Sequence, residues 1–274
     1  MVRRLMWLLA LAVCAGGSTG PALRAGSEGP AGETAQRRSR IVRVAAASDV
    51  QFAMADLVRA FEASHADIDV VVAYGSSGTY HAQILRQAPF DLFLSADMLY
   101  PRDLIAKGMG AKDGAFLYAI GRIVLWVRQE SPIDVERLGI QALKDRRIRH
   151  VAIANPLHAP YGRAAEAAMR HFGVADAVKG RLVFGENIAQ AAQFVESGAA
   201  DIGIIARSLA VAPAMRSKGR YWEVPADAHP LLEQGGLVLA AAKDPGAASL
   251  LRQFMTSAEG RAILTRYGFV LPRG

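Results

Sequence analysis

Tyr74-Gly75-Ser76-Ser77-Gly78-Thr79-Tyr80 stands between an apolar run, Ile68 to Ala73, and a helical pattern carried by Ile84 and Leu85. A strand that ends in a Gly-Ser turn and opens a helix leaves the first backbone N–H groups of that helix without partners, directed at whatever occupies the turn. Those donors, the positive end of the helix dipole and two hydroxyls make a neutral cradle for an oxyanion. Taken by itself, the same motif is also an ordinary strand-to-helix turn with a serine cap.

A second turn of this kind lies upstream. The strand Ile41 to Ala47 runs into Ser48-Asp49 and then into a helix with Val50, Met54, Leu57, Val58 and Phe61 on one face. In an open, mostly parallel sheet the carboxyl ends of neighbouring strands share one crevice, so Ser48 and Ser77 are expected to face a common ligand. Neither turn is a nucleophile elbow, because Gly-x-Ser-x-Gly would need glycine where Thr79 stands.

The chain of 274 residues, 52% hydrophobic, is long enough for one large or two ordinary α/β domains. Residues 1–15 read as an export signal, with Arg3 and Arg4 ahead of the apolar run Leu5 to Val13 and small residues after it. That run is too short to span a bilayer. Cys14 is the only cysteine, so the mature domain has no thiol or disulfide chemistry. Leu11-Ala12-Val13-Cys14 matches a lipoprotein box only in part, and soluble export is preferred to lipid anchoring through Cys14. Residues 16–40, rich in Gly, Ser, Glu and Arg, read as a disordered tether. The leader and this tract carry part of the net charge of +7, and the remaining basic residues, as in Lys144 to Arg149, alternate with acids or apolar residues without aromatic interleaving. A solvated face is expected there, not a nucleic-acid site.

Downstream, Ala88 to Asp97 reads as a third buried strand, Leu99 to Ala106 as a short helix, and Tyr118 to Val127 as a strand interrupted by Gly121, where the chain could cross between lobes. Strands at His150 to Ala154, Arg181 to Phe184 and Asp201 to Ala206 alternate with helices after Pro160 and Asn187. A strand over Gly236 to Ala242 and two C-terminal helices leave material to return to the first lobe. The expected division is residues 41–122 with 228–274 as lobe 1 and 123–227 as lobe 2. Ala159-Pro160-Tyr161-Gly162 and Gly185-Glu186-Asn187-Ile188 add two further helix starts. With Ser48 and Ser77 they give two helix N-termini per lobe, the requirement for an anion clamp between lobes.

Val44-Ala45-Ala46-Ala47-Ser48, Gly75-Ser76-Ser77-Gly78, Ala88 to Asp97 and Arg266-Tyr267-Gly268-Phe269 follow the pattern of the periplasmic molybdate-binding proteins of ABC transporters. The resemblance covers about residues 41–271. It implies an α/β type II periplasmic-binding-protein fold, two lobes joined by two crossing segments with the ligand cleft between them, in a monomer that presents molybdate or tungstate to a membrane permease. It further implies oxyanion contacts from Ser48, Ser77, Tyr161 and Ile188, the last two through backbone N–H groups, with no cofactor and no direct metal-cation ligand. Many relatives place a tyrosine hydroxyl where this chain has Ala206, and Tyr161 is the candidate to replace it. Asp49 stands where relatives carry an apolar residue, and first-turn helix stabilisation is its simplest role. Two other readings remain: a sulfate or phosphate receptor, phosphate needing an acceptor that only Asp49 supplies, and a secreted hydrolase pairing Ser77 with His81.

Overall fold

The computed structural model describes residues 40–272; the expected export signal, Cys14 and the tether up to residue 39 lie outside the described residues. Arg40, assigned above to the tether, opens the first strand and binds Asp244 through Nε at 2.6 Å.

Among the described residues ten strands form two five-stranded sheets. In the first, the order is β2 (Ile68–Gly75), β1 (Arg40–Ala47), β3 (Leu92–Ser95), β10 (Leu232–Val238) and β4 (Ala115–Gly121). β1 runs parallel to β2 and β3, whereas β10 is antiparallel to both β3 and β4. The second sheet repeats the plan with β7 (Leu182–Gly185), β6 (Val151–Ala154), β8 (Ile202–Ala206), β5 (Ile123–Arg128) and β9 (Gly219–Glu223). β6 is parallel to β7 and β8, and β5 is antiparallel to β8 and β9. The chain passes from the first sheet to the second at Arg122, between β4 and β5, and returns between β9 and β10.

Each parallel strand is followed by a helix that covers its sheet, so the inner strands are apolar on both faces. Val42, Val44, Ala45 and Ala46 of β1 are all fully buried. The helix Gln51–Ser64 lays Ala53, Met54, Leu57 and Phe61 on that sheet, at the spacing of one helical face. Around the second sheet, Ile123 to Val127 are buried without exception, Trp126 included, under the helices Pro160–His171 and Ile188–Glu196.

The strand expected over Gly236 to Ala242 lies earlier, at β10. Gly235 and Gly236 sit mid-strand, where Met98 and the Phe116 ring occupy the space that a Cβ would need. β9 carried no clear sequence signal, its residues being only half-buried.

Gly162 fixes how closely the Pro160–His171 helix approaches β6. A Cβ there would fall inside van der Waals distance of the Ala154 carbonyl oxygen and 2.8 Å from the Pro156 nitrogen, both backbone atoms that cannot swing away. Gly162→Ala is expected to cost about 1 to 3 kcal/mol of stability, read as a lower denaturation midpoint in urea; an unchanged midpoint would show that the helix can lift off the sheet freely.

Candidate functional site

The carboxyl ends of β1, β2, β6 and β7 are Ala47, Gly75, Ala154 and Gly185, and a helix begins shortly after each. Ser48 opens a short 3-10 turn, Ser48–Val50, continuous with the helix Gln51–Ser64. Ser77 is the first residue of the helix Ser77–Leu85, capped by Ser76. Tyr161 follows Pro160 at the start of its helix, and Ile188 begins the helix capped by Asn187. The fold brings all four together: Ser48, Ser77, Tyr161 and Ile188 line one small, tight cavity of about 10 Å³, with Asp49 and Ser76 beside them.

The N–H groups of Tyr161 and Ile188, in the first turns of their helices, have no carbonyl one turn earlier to bind. Ser77 is fully buried; its Oγ accepts the Ala96 N–H at 3.0 Å, which leaves its own hydrogen to donate. Ser76 is committed elsewhere, to Thr79 and to His158 Nδ1 at 2.8 Å. Ser48 Oγ accepts the Ala189 N–H at 3.2 Å and lies 3.0 Å from Asn187 Oδ1, to which it donates. Its hydroxyl therefore ties the first lobe to the helix start of the second while it lines the cavity.

Asp49 is not a surface first-turn acid but is 1% exposed and bridges the lobes. Its Oδ2 accepts the Tyr161 hydroxyl at 2.9 Å and its backbone carbonyl accepts Ser208 Oγ at 2.7 Å. Behind Tyr161, Gln234 Nε2 donates to the phenol oxygen at 3.4 Å, and the Tyr118 hydroxyl donates to Gln234 Oε1, also at 3.4 Å. Asp49 Oδ1 has no hydrogen-bond partner. Burial pushes the Asp49 carboxyl up to about 7, with the Tyr161 hydroxyl and nearby backbone N–H groups pulling the other way. Desolvation, reinforced by Asp49, holds the Tyr161 and Tyr118 phenols well above their usual range. The Tyr161 hydroxyl, the candidate to replace the donor missing at the fully buried Ala206, is thus spent on Asp49.

Further contacts close the cleft. Gly78 N–H donates to the His158 carbonyl at 2.9 Å. Arg163 reaches across to Asp97 at 2.7 Å and to the Tyr100 hydroxyl at 3.2 Å instead of lying along its own helix. No arginine or lysine lines the cavity among the described residues. His81 binds Asp103 at 2.6 Å, and among the described residues no hydrogen bond joins it to Ser77, whose Oγ meets only the Ala96 N–H. Sequence reasoning passed over Asn187, although an Asn before an apolar helix is a recognisable cap. It also missed His158, Ser208 and Gln234, which no local spacing marks.

Two α/β lobes meeting over a cavity of helix starts define a solute receptor of the periplasmic-binding type. Comparison with known proteins agrees: residues 42–270 match the family described as bacterial extracellular solute-binding protein. The molybdate-binding protein ModA of Azotobacter vinelandii is 34% identical over 230 residues, 84% of this chain and 90% of that one. Its counterpart in Rhodobacter capsulatus is 35% identical over 201 residues, 73% and 77% of the two chains. The solved periplasmic molybdate-binding protein of Azotobacter vinelandii superposes with a TM-score of 0.79 at 30% identity, covering 85% of this chain and 100% of that one. The chain belongs to the bacterial extracellular solute-binding protein family, in the branch of the molybdate-binding proteins.

The raised Asp49 carboxyl has a consequence for stability. Below about pH 4 the group is protonated folded or unfolded and costs nothing; between pH 4 and 7 only the unfolded chain ionises, and stability is lost, by up to about 4 kcal/mol. Asp49→Asn should therefore gain on the parent by a few kcal/mol as pH rises from 4 to 7, the difference levelling above 7. Urea denaturation across that range measures it, and a difference independent of pH would mean that Asp49 ionises alike in both states.

Proposed function

We propose that this protein captures molybdate or tungstate in the cavity between its lobes and presents it to the membrane permease of an ABC importer. Ser77 and the N–H groups of Tyr161 and Ile188 supply the donors, and Ser48 joins the closure to the site. One observation carries the reading: four helix starts, two from each lobe, converge on a cavity that no cationic side chain lines. Neutral donors and helix dipoles aimed at a dehydrated dianion are strong, because charge-assisted hydrogen bonds gain in a dry site. A fully deprotonated tetrahedral dianion accepts from all of them, while a protonated one sets an O–H against a donor. Closure is expected to follow capture, since the cavity exists only where both lobes meet.

The chain is not an enzyme; its relatives are binding proteins, and among the described residues no hydrogen bond joins Ser77 to His81. Export through residues 1–15, release without a lipid anchor at Cys14 and a monomeric state complete the proposal.

A thermal-shift panel of molybdate, tungstate, sulfate, phosphate and chromate tests it, because a ligand at about 100 times its dissociation constant adds about 2.7 kcal/mol of stability. Molybdate and tungstate should raise the melting temperature most, and a flat panel would remove the proposal. Ser77→Ala deletes a charge-assisted bond worth about 1.5 to 3 kcal/mol and should weaken molybdate binding by roughly ten- to a hundredfold, while His81→Ala leaves it unchanged.

A further inference from the structure

Among the residues lining the cavity, Asp49 is the one that ordinary dianion binding does not explain. A carboxylate there would face a dianion at close range inside a site that excludes water, where repulsion is screened least. No cationic side chain among the described residues lines the cavity to relieve it. The 3-10 turn that carries Asp49 is packed by the helices Gln51–Ser64, Ile188–Glu196 and Arg207–Ala210. Their charged groups are engaged elsewhere: Asp56 with Arg59 and Tyr267, Glu62 with the Val70 N–H, Glu196 with Lys218, Arg207 with Glu223 and the Gly268 carbonyl. From the remaining neighbours come only Tyr161, Tyr118 and the neutral Gln234, while Arg163 is held by Asp97 and Arg122 by Glu223.

The hydrogen-bond chain fixes where a proton on Asp49 would sit. Tyr118 donates to the Gln234 carbonyl, which turns the Gln234 amide nitrogen toward the Tyr161 oxygen. Tyr161 must then donate its own hydrogen to Asp49 Oδ2. Oδ2 is occupied as an acceptor, so the carboxyl's proton belongs on Oδ1, the buried oxygen that makes no direct hydrogen bond and has only the Asp49 and Val50 backbone N–H groups near the carboxyl.

We propose that Asp49 is a proton-carrying, specificity-determining donor of the cavity: the tetrahedral dianion is held with Asp49 as the carboxylic acid, its Oδ1–H given to an anion oxygen, so that capture takes up one proton from solution at pH values where Asp49 is otherwise ionised. This inference rests on the oxyanion reading of the cavity. It replaces the donor missing at Ala206 with one on the opposite lobe. The carboxyl, raised to about 7 by burial, is raised further by a bound dianion. Affinity is therefore full below pH 7, where Asp49 holds its proton beforehand, and falls as pH rises above 7, where each capture must bind one.

Titration calorimetry with molybdate between pH 6 and 9, in two buffers of different ionisation enthalpy, tests this. The expected result is near-constant affinity up to pH 7, roughly tenfold weakening per pH unit above it, and uptake approaching one proton per anion by pH 8. Asp49→Asn, whose amide donates at any pH, should bind without that slope. Molybdate binding that is flat across the range with no proton uptake would overturn the inference while leaving the oxyanion site standing. Tighter binding of phosphate than of molybdate, lost in Asp49→Asn, would overturn it by making Asp49 an acceptor. Failure of every anion to bind would overturn the site and the inference together. The proton count is made on the parent protein, so it stands whether or not the variant folds.

Discussion

Unsatisfied backbone N–H groups at helix starts are the constraint on which this structure turns. A helix of any sequence leaves its first donors without intrahelical partners, and burying them unpaired costs on the order of 1 to 3 kcal/mol each. Parallel strands point such starts toward the carboxyl edge of their sheet. The two sheets here direct theirs at one cavity, so a ligand rich in acceptors is what completes the fold's own hydrogen bonding. The arrangement explains why Ser48, Ser77, Tyr161 and Ile188, far apart in the chain, converge without any lysine or arginine among them.

Closure of the cleft uses polar groups beside a small apolar contact, in which Ala47 and Ala96 join the second-lobe core and Ala212 the first. Ser48 to Asn187 and Ala189, Tyr161 and Ser208 to Asp49, Gly78 to His158, and Arg163 to Asp97 all join residues of opposite lobes. Such contacts are individually worth about 0.5 to 1.5 kcal/mol net, somewhat more where a charge takes part. A closure built from terms of this size can be tipped by one small anion, whereas a large apolar contact between the lobes would hold it shut without ligand. Only Asp49 goes against the pattern, since its burial costs energy that its partners offset only in part.

The frame of the fold was legible because its signals are local. An apolar run followed by a hydroxyl turn and a 3.6-residue stripe, as at Val70 to Ile84, specifies strand, turn and helix within twenty residues. The same locality made Ser48, Ser77, Tyr161 and Ile188 findable as helix-start residues, once the resemblance to the molybdate-binding proteins had said which starts to choose. Pairings between lobes were not legible. Tyr161 and Asp49 are 112 residues apart, and nothing beside either one announces the other. Asp49 read as a first-turn acid because its sequence context is that of one; only tertiary burial makes it something else. The need for glycine at 235 and 236 is likewise tertiary, their space being claimed by Met98 and Phe116 from distant parts of the chain.

The account stands or falls on where the anion sits. A crystal grown with molybdate and measured at the molybdenum absorption edge locates the metal atom without reference to any assumed site. The account predicts one strong anomalous peak per chain in the cavity, with the anion's oxygens within about 3 Å of Ser77 Oγ and of the Tyr161 and Ile188 nitrogens. A peak in the wider groove beside Gln51 and Gln190, or on an exposed arginine with the cavity bare of molybdenum, would contradict it.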